Sequence, residues 1–131
     1  MTSKHALEKF PIHLGRGGTA LREPEFTGME WYAGYGARHA ADGAEGRLVS
    51  MFTFASSWTS WEMHPAGAEV VVCTAGKITL HQDIGGEVRT VTLAPGEAAI
   101  NPPGVWHTAD ADGPCTALFI TAGMGTQVRP P

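Results

Sequence analysis

Four side chains of the kinds that ligate cations or move protons stand out by their spacing. Glu62 and His64 lie two apart, Glu69 follows at the head of Val70-Val71-Val72-Cys73, and His107 sits in Val105-Trp106-His107-Thr108-Ala109, directly after Pro102-Pro103-Gly104. Imidazole nitrogens and carboxylate oxygens bind divalent metals, and the same groups serve as general acids and bases. If residues 58–64 form a strand, alternation puts Trp58, Ser60, Glu62 and His64 on one face and Thr59, Trp61 and Met63 on the other. Glu62 and His64 then project together. The turn Pro65-Ala66-Gly67-Ala68 can return Glu69 beside them, and a neighbouring strand carrying His107 would supply a fourth group.

The elements that must hold these groups read as short strands. Strand-like segments are expected at 29–35, 47–55, 58–64, 69–75, 77–83, 87–93, 97–101, 105–110 and 115–122, separated by turn residues such as Ala75-Gly76, Pro95-Gly96 and Asp112-Gly113-Pro114. Gly85-Gly86, between Ile78-x-Leu80 and Val88-x-x-Val91-x-Leu93, is the clearest hairpin turn, because glycine accepts the positive φ such a turn demands. Seventeen glycines and 9 prolines in 131 residues fit many tight turns between short elements, so the fold class is all-β. No helix of ten residues and no internal repeat is expected. Residues 1–26 show no sustained period and read as an N-terminal arm, leaving 27–131 as one domain.

Composition narrows the function classes. With 9 basic and 13 acidic residues the formal charge is −4, and no run of Lys and Arg offers a footprint for phosphates, so no nucleic acid partner is expected. Residues 1–26 contain no apolar stretch resembling a signal peptide, and Val70-Val71-Val72 is far too short to span a bilayer; a soluble, cytoplasmic protein with no membrane partner is expected. Cys73 and Cys115 lie inside apolar segments and read as reduced, buried residues. The chain has no G-x-S-x-G elbow, no H-E-x-x-H, no Walker loop and no G-x-G-x-x-G before a helix.

The spacings Glu62-x-His64-x4-Glu69-x6-Gly76 and Gly96-x5-Pro102-x-Gly104-x2-His107 resemble the two signature motifs of the cupin superfamily, His-x-His-x3-4-Glu-x6-Gly and Gly-x5-Pro-x-Gly-x2-His. The resemblance covers roughly residues 46–125, with Glu62 standing where the family pattern has its first histidine. It implies a double-stranded β-helix, or jelly-roll barrel, with a divalent metal inside. His64, Glu69 and His107 match family ligands, and Glu62 is chemically able to be the fourth. Such a set can hold Mn, Fe, Co, Ni or Zn, and two carboxylates neutralise a dication, which tilts the site toward harder ions such as Mn(II) or Fe(II).

Two functional readings follow. In the first, the protein is a metal-dependent enzyme on a small organic substrate, of dioxygenase, isomerase or lyase type, with Glu62 or Glu69 as the proton-transfer group where not tightly ligated. In the second, it is a non-catalytic module that stores or senses a small ligand without metal, the histidine pair acting as hydrogen-bonding groups. Trp58 and Phe54 are candidates for cavity walls, while Trp61, Trp106, Phe52 and Phe119 read as core or subunit-contact material. His5, His13, His39 and His81 match no motif and read as surface or satisfied core; Arg38, Arg47 and His39 are candidates to meet a substrate carboxylate at the mouth, with solvated surface the preferred reading. A homodimer is expected, since edge strands and the arm need cover.

Overall fold

Valine- and threonine-rich runs punctuated by Gly and Pro give the chain short antiparallel strands, as β-branched residues suit a pleated, half-buried surface. A computed structural model describes residues 3–131. Its strands are β1 (Ile12–Leu14), β2 (Ala20–Arg22), β3 (Arg47–Phe54), β4 (Trp61–Met63), β5 (Glu69–Ala75), β6 (Ile78–Ile84), β7 (Glu87–Leu93), β8 (Ala98–Asn101), β9 (Trp106–Asp110), β10 (Cys115–Thr121) and β11 (Gln127–Arg129). One helix, α1 (Trp31–Arg38), precedes β3. The strands form two antiparallel sheets, ordered β2-β1-β3-β10-β5-β8 and β11-β4-β9-β6-β7. This is the jelly-roll arrangement, although the two sheets are not joined into a closed barrel. Among the described residues no helix is long and apolar enough to cross a membrane.

Inward-facing positions of both sheets make the core. Val71 and Cys73 of β5, Ala117 and Phe119 of β10, Ile78 and Leu80 of β6, and Ala109 of β9 pack together with Leu93 and Cys115, and Phe52, Phe54 and Trp58 lean on the cluster. Cys73 and Cys115 are both buried and free. The Gly85-Gly86 hairpin joins β6 to β7 with both glycines at positive φ, 62° and 87°. Gly76 is more tightly constrained. Its φ is +70°, and a Cβ there would lie 2.4 Å from the Pro114 carbonyl oxygen, so the turn into β6 admits no side chain.

Several boundaries differ from the sequence reading. Residues 29–35, expected as a strand, lie largely in α1: Trp31 and Tyr35, four apart, stack with planes 8° from parallel, a contact that only a helix brings about at that spacing. The Trp31 indole N–H also donates to the Pro24 carbonyl at 3.2 Å, and Arg38 in the last turn suits the helix dipole. Segment 58–64 is a strand only over Trp61–Met63. The N-terminal stretch 1–26 supplies β1 and β2, with β1 pairing β3 (His13 opposite Leu48) at the border of the first sheet. β11 lies beyond the last expected strand and pairs β4.

Candidate metal centre

The alternation that builds the core also builds a polar site farther along the same strands. On β5 the inward row runs Cys73, Val71, Glu69, and on β10 it runs Cys115, Ala117, Phe119, Thr121, so each row ends on a polar residue. The second sheet contributes His107 of β9, directly opposite Glu62 of β4 in register, and His64 just past β4. All four residues singled out in the sequence therefore meet where the two sheets face each other. The His64 Nε2 lies 3.3 Å from Glu69 Oε2 and 3.8 Å from Glu62 Oε2, and the His107 Nε2 lies 3.2 Å from Glu69 Oε1. His64, Glu69 and His107 are buried, while the Glu62 side chain is about 35% exposed.

Hydrogen bonding fixes how the imidazoles are presented. The Thr126 hydroxyl donates to the Gly123 carbonyl at 2.8 Å, so at its 2.7 Å contact with His64 Nδ1 it must accept, placing a proton on that nitrogen. His107 Nδ1 faces the Val105 carbonyl at 3.3 Å, which also can only accept. In the neutral rings both Nε2 atoms therefore carry lone pairs. These two nitrogens are buried and have no hydrogen-bond partner, and their rings lie 5.0 Å apart. Buried polar atoms are almost always satisfied. Two bare imidazole lone pairs converging with two carboxylates are the arrangement a divalent cation requires, so the donor set fits a metal; the ligating atoms of Glu62, His64 and His107 all lie within 4.8 Å of one another.

Further residues hold this set in place. Asn101, opposite Glu69 in register, donates its amide to Glu69 Oε1 at 3.0 Å, and its own oxygen accepts from Gln82 at 2.8 Å, which settles its orientation. Thr121 donates to Glu69 Oε2 at 2.6 Å. Burial alone would raise the Glu69 pKa, but in the metal-free site the His107 and His64 rings, when they carry a proton on Nε2 as well, hold it far below the usual carboxylate range. Burial would lower the His64 pKa, yet Glu69 and Glu62 outweigh it and raise it. At Glu62, burial and the Glu69 charge push the pKa up, against the His64 and His107 rings, which pull it down.

The sequence reading missed Asn101, Thr121, Thr126 and Gln82. Thr121 was detectable, since it continues the inward parity of Ala117 and Phe119; the others depend on pairing between distant segments. Above the centre opens a cavity of about 980 Å³. Phe54 and Trp58 wall it, as expected, together with Phe52 and Phe119. Trp61 and Trp106 instead flank the Arg129 guanidinium, at 5.3 and 4.6 Å. Helix α1 roofs the cavity, presenting Tyr32, Tyr35 and Gly36 on one face with His39 one turn beyond. Arg38 and His39 are not free surface groups, because both pair with the buried Glu23 at 3.0 Å.

Solved structures with the same fold include oxalate oxidase, 16% identical, with a TM-score of 0.55 over 70% of this chain and 50% of that one. Bacillus subtilis oxalate decarboxylase, described with Mn(II) centres, is 16% identical with a TM-score of 0.55 over 72% of this chain and 26% of that one. A hydroquinone 1,2-dioxygenase in complex with Cd2+ and 4-hydroxybenzonitrile is 14% identical with a TM-score of 0.50 over 57% of this chain and 56% of that one. The chain thus spans less than two thirds of each of these proteins, and at such identities the likeness is one of fold. No curated protein matches the sequence. The model of the cupin domain family matches residues 51–121, which contain all four converging side chains and more than half of the chain. The protein belongs to the cupin family.

Proposed function

We propose that the protein is a metal-dependent enzyme acting on a small, uncharged organic molecule, with Glu62, His64, Glu69 and His107 holding a divalent ion at the base of the cavity. The observation that carries this reading is the pair of buried Nε2 atoms that make no hydrogen bond, aimed into a site that already holds two carboxylates. A bound dication would supply Lewis-acid polarisation of an oxygen ligand or a platform for O2 chemistry. The chain's own groups do the rest. Asn101 and Thr121 orient Glu69, and Thr126 orients His64. Glu62, the most exposed of the four, is placed to exchange a proton with a molecule in the cavity where it is not tightly bound to the ion.

The substrate class follows from the walls. A volume of about 980 Å³ accommodates a molecule of several rings, and Phe52, Phe54, Trp58 and Phe119 favour a planar apolar body. None of the described residues lining the cavity is Lys or Arg, and two carboxylates offset the charge of a dication, which favours an uncharged ligand over a dicarboxylate.

The test is metal analysis of protein purified without chelator. The expected result is one equivalent of Mn, Fe, Co, Ni or Zn per chain, lost in His64→Ala and in His107→Ala while the circular dichroism of the fold is kept. Wild-type protein that is metal-free and takes up none of these ions would overturn the reading in favour of a ligand-binding module.

A further inference from the structure

The cavity has a second polar wall, built by residues that no motif singles out. His13 of β1 is 1% exposed, and both of its ring nitrogens are engaged: Nδ1 lies 2.6 Å from the Tyr35 hydroxyl of α1, and Nε2 lies 2.6 Å from Asp42 Oδ2 in the 3-10 turn that follows. His39 stacks on the His13 ring, with centroids 3.6 Å apart and planes 15° from parallel, and is itself held by Glu23, which also binds Arg38. The stack prevents His13 from turning. His13, Tyr35 and His39 all line the cavity above the proposed metal centre, whereas the Asp42 side chain is 24% exposed to water.

The direction of each bond follows from chemistry. Asp42 is a carboxylate, held below the ordinary range chiefly by its bond to His13, and can only accept. His13 therefore donates through Nε2–H, and in the neutral ring Nδ1 is left with a lone pair. Tyr35 keeps its proton, since burial and the charges of Glu23 and Asp42 raise its pKa, and it donates that O–H to Nδ1. The Tyr35 oxygen then has only lone pairs to offer a molecule in the cavity.

We propose that Tyr35, His13 and Asp42 form a proton relay that accepts the hydroxyl proton of an uncharged ligand in the cavity and passes it to solvent. The ligand R–O–H gives its proton to Tyr35 Oη as the phenolic proton of Tyr35 moves to His13 Nδ1. This leaves R–O⁻ hydrogen-bonded by Tyr35, and an imidazolium paired with the Asp42 carboxylate. The Nε2 proton then leaves to water through the partly exposed Asp42, which leaves the neutral ring protonated on Nδ1; the relay resets when Nε2 takes a proton back from water while the Nδ1 proton returns through Tyr35 to the ligand oxygen. One proton is transferred and no redox partner is needed. The relay shares its cavity with the proposed metal centre but does not depend on a metal.

The test uses the full chain, both as purified and after chelator treatment, with phenol and anisole as probes that differ only in the O–H. Wild type is expected to bind phenol more tightly than anisole. Tyr35→Phe is expected to weaken phenol about three- to tenfold, as for loss of one hydrogen bond, while leaving anisole unchanged, with or without metal. Long-range 1H–15N spectra of the wild type are expected to show His13 protonated on Nε2 and bare on Nδ1, a readout that needs no variant to fold. Equal effects on the two probes, no effect on phenol, or His13 protonated on Nδ1 would overturn the proposal. Metal analysis reads the other reading separately, so the two fail independently.

Discussion

Replacing Thr121 by Val removes one hydroxyl and nearly nothing else, and so isolates what holds Glu69. The lost bond is 2.6 Å long and ends on a buried carboxylate, a class worth about 1.5–3 kcal/mol. Asn101 remains on the other oxygen, so the carboxylate keeps one donor and a pair of imidazole neighbours. In metal-free protein the cost should appear as a stability loss of about 1.5–3 kcal/mol in urea, or a Tm lower by about 5–10 °C for a chain of this length. The loss should depend on pH with a definite sign. Because the folded Glu69 pKa is depressed, its contribution is fully present above the unfolded value of 4.5 and disappears as pH falls through the folded value. The difference between wild type and Thr121→Val should therefore be largest near neutrality and shrink below about pH 4. Affinity for Zn or Mn, read by competition with a chromophoric chelator, should fall about 10- to 100-fold, as for residues that orient metal ligands. A variant within about 0.5 kcal/mol of wild type and unchanged in metal affinity would show that Thr121 does not position Glu69.

Other expectations are equally direct. The chain has only two tyrosines, and both are raised: Tyr32 to about 12, by burial and then by the Glu62 and Glu69 charges, and Tyr35 upward by burial and then by Glu23 and Asp42. Native protein should thus show no tyrosinate absorbance at 295 nm at pH 10, where the unfolded chain is half ionised; ionisation of either residue at that pH in folded protein would contradict the packing of α1. Since both folded pKa values lie above the unfolded one, stability should fall as pH rises from 10 toward 12. Gly76→Ala should cost roughly 3 kcal/mol or more in chemical denaturation, combining positive φ with a Cβ 2.4 Å from a backbone oxygen, and a neutral result would mean that this turn can relax. Cys73 and Cys115, buried and free, should resist a thiol reagent in native protein and react as two equivalents in denaturant.

The parts of this molecule legible in its sequence are those governed by short-range rules. Strands β3, β5, β6, β7 and β10 carry enough β-branched residues between turn signals to be placed within a residue or two. Glu62, His64, Glu69 and His107 were identifiable because fixed spacings within two segments are set by turns whose geometry glycine and proline dictate. What escaped was set by contacts between segments. Tyr32 and Tyr35 resemble strand residues until Trp31 stacks on Tyr35 and makes a helix of them. His13 has no local neighbour to mark it; Asp42 lies 29 residues away and meets it only because β1 pairs with β3. Asn101 is likewise unremarkable in sequence and acquires its role from the register that sets it opposite Glu69.

Each inward row of β5, β9 and β10 is oily along one length and hydrophilic along the other: Cys73 and Val71 lead to Glu69, Ala109 to His107, and Phe119 to Thr121. Cohesion and reactivity are thereby assigned to opposite ends of the same ribbons. A chain partitioned in this way can exchange the side chains at its hydrophilic end for others of similar size while the oily end keeps the two layers clasped. New chemistry is then within reach of a few substitutions, without a new scaffold.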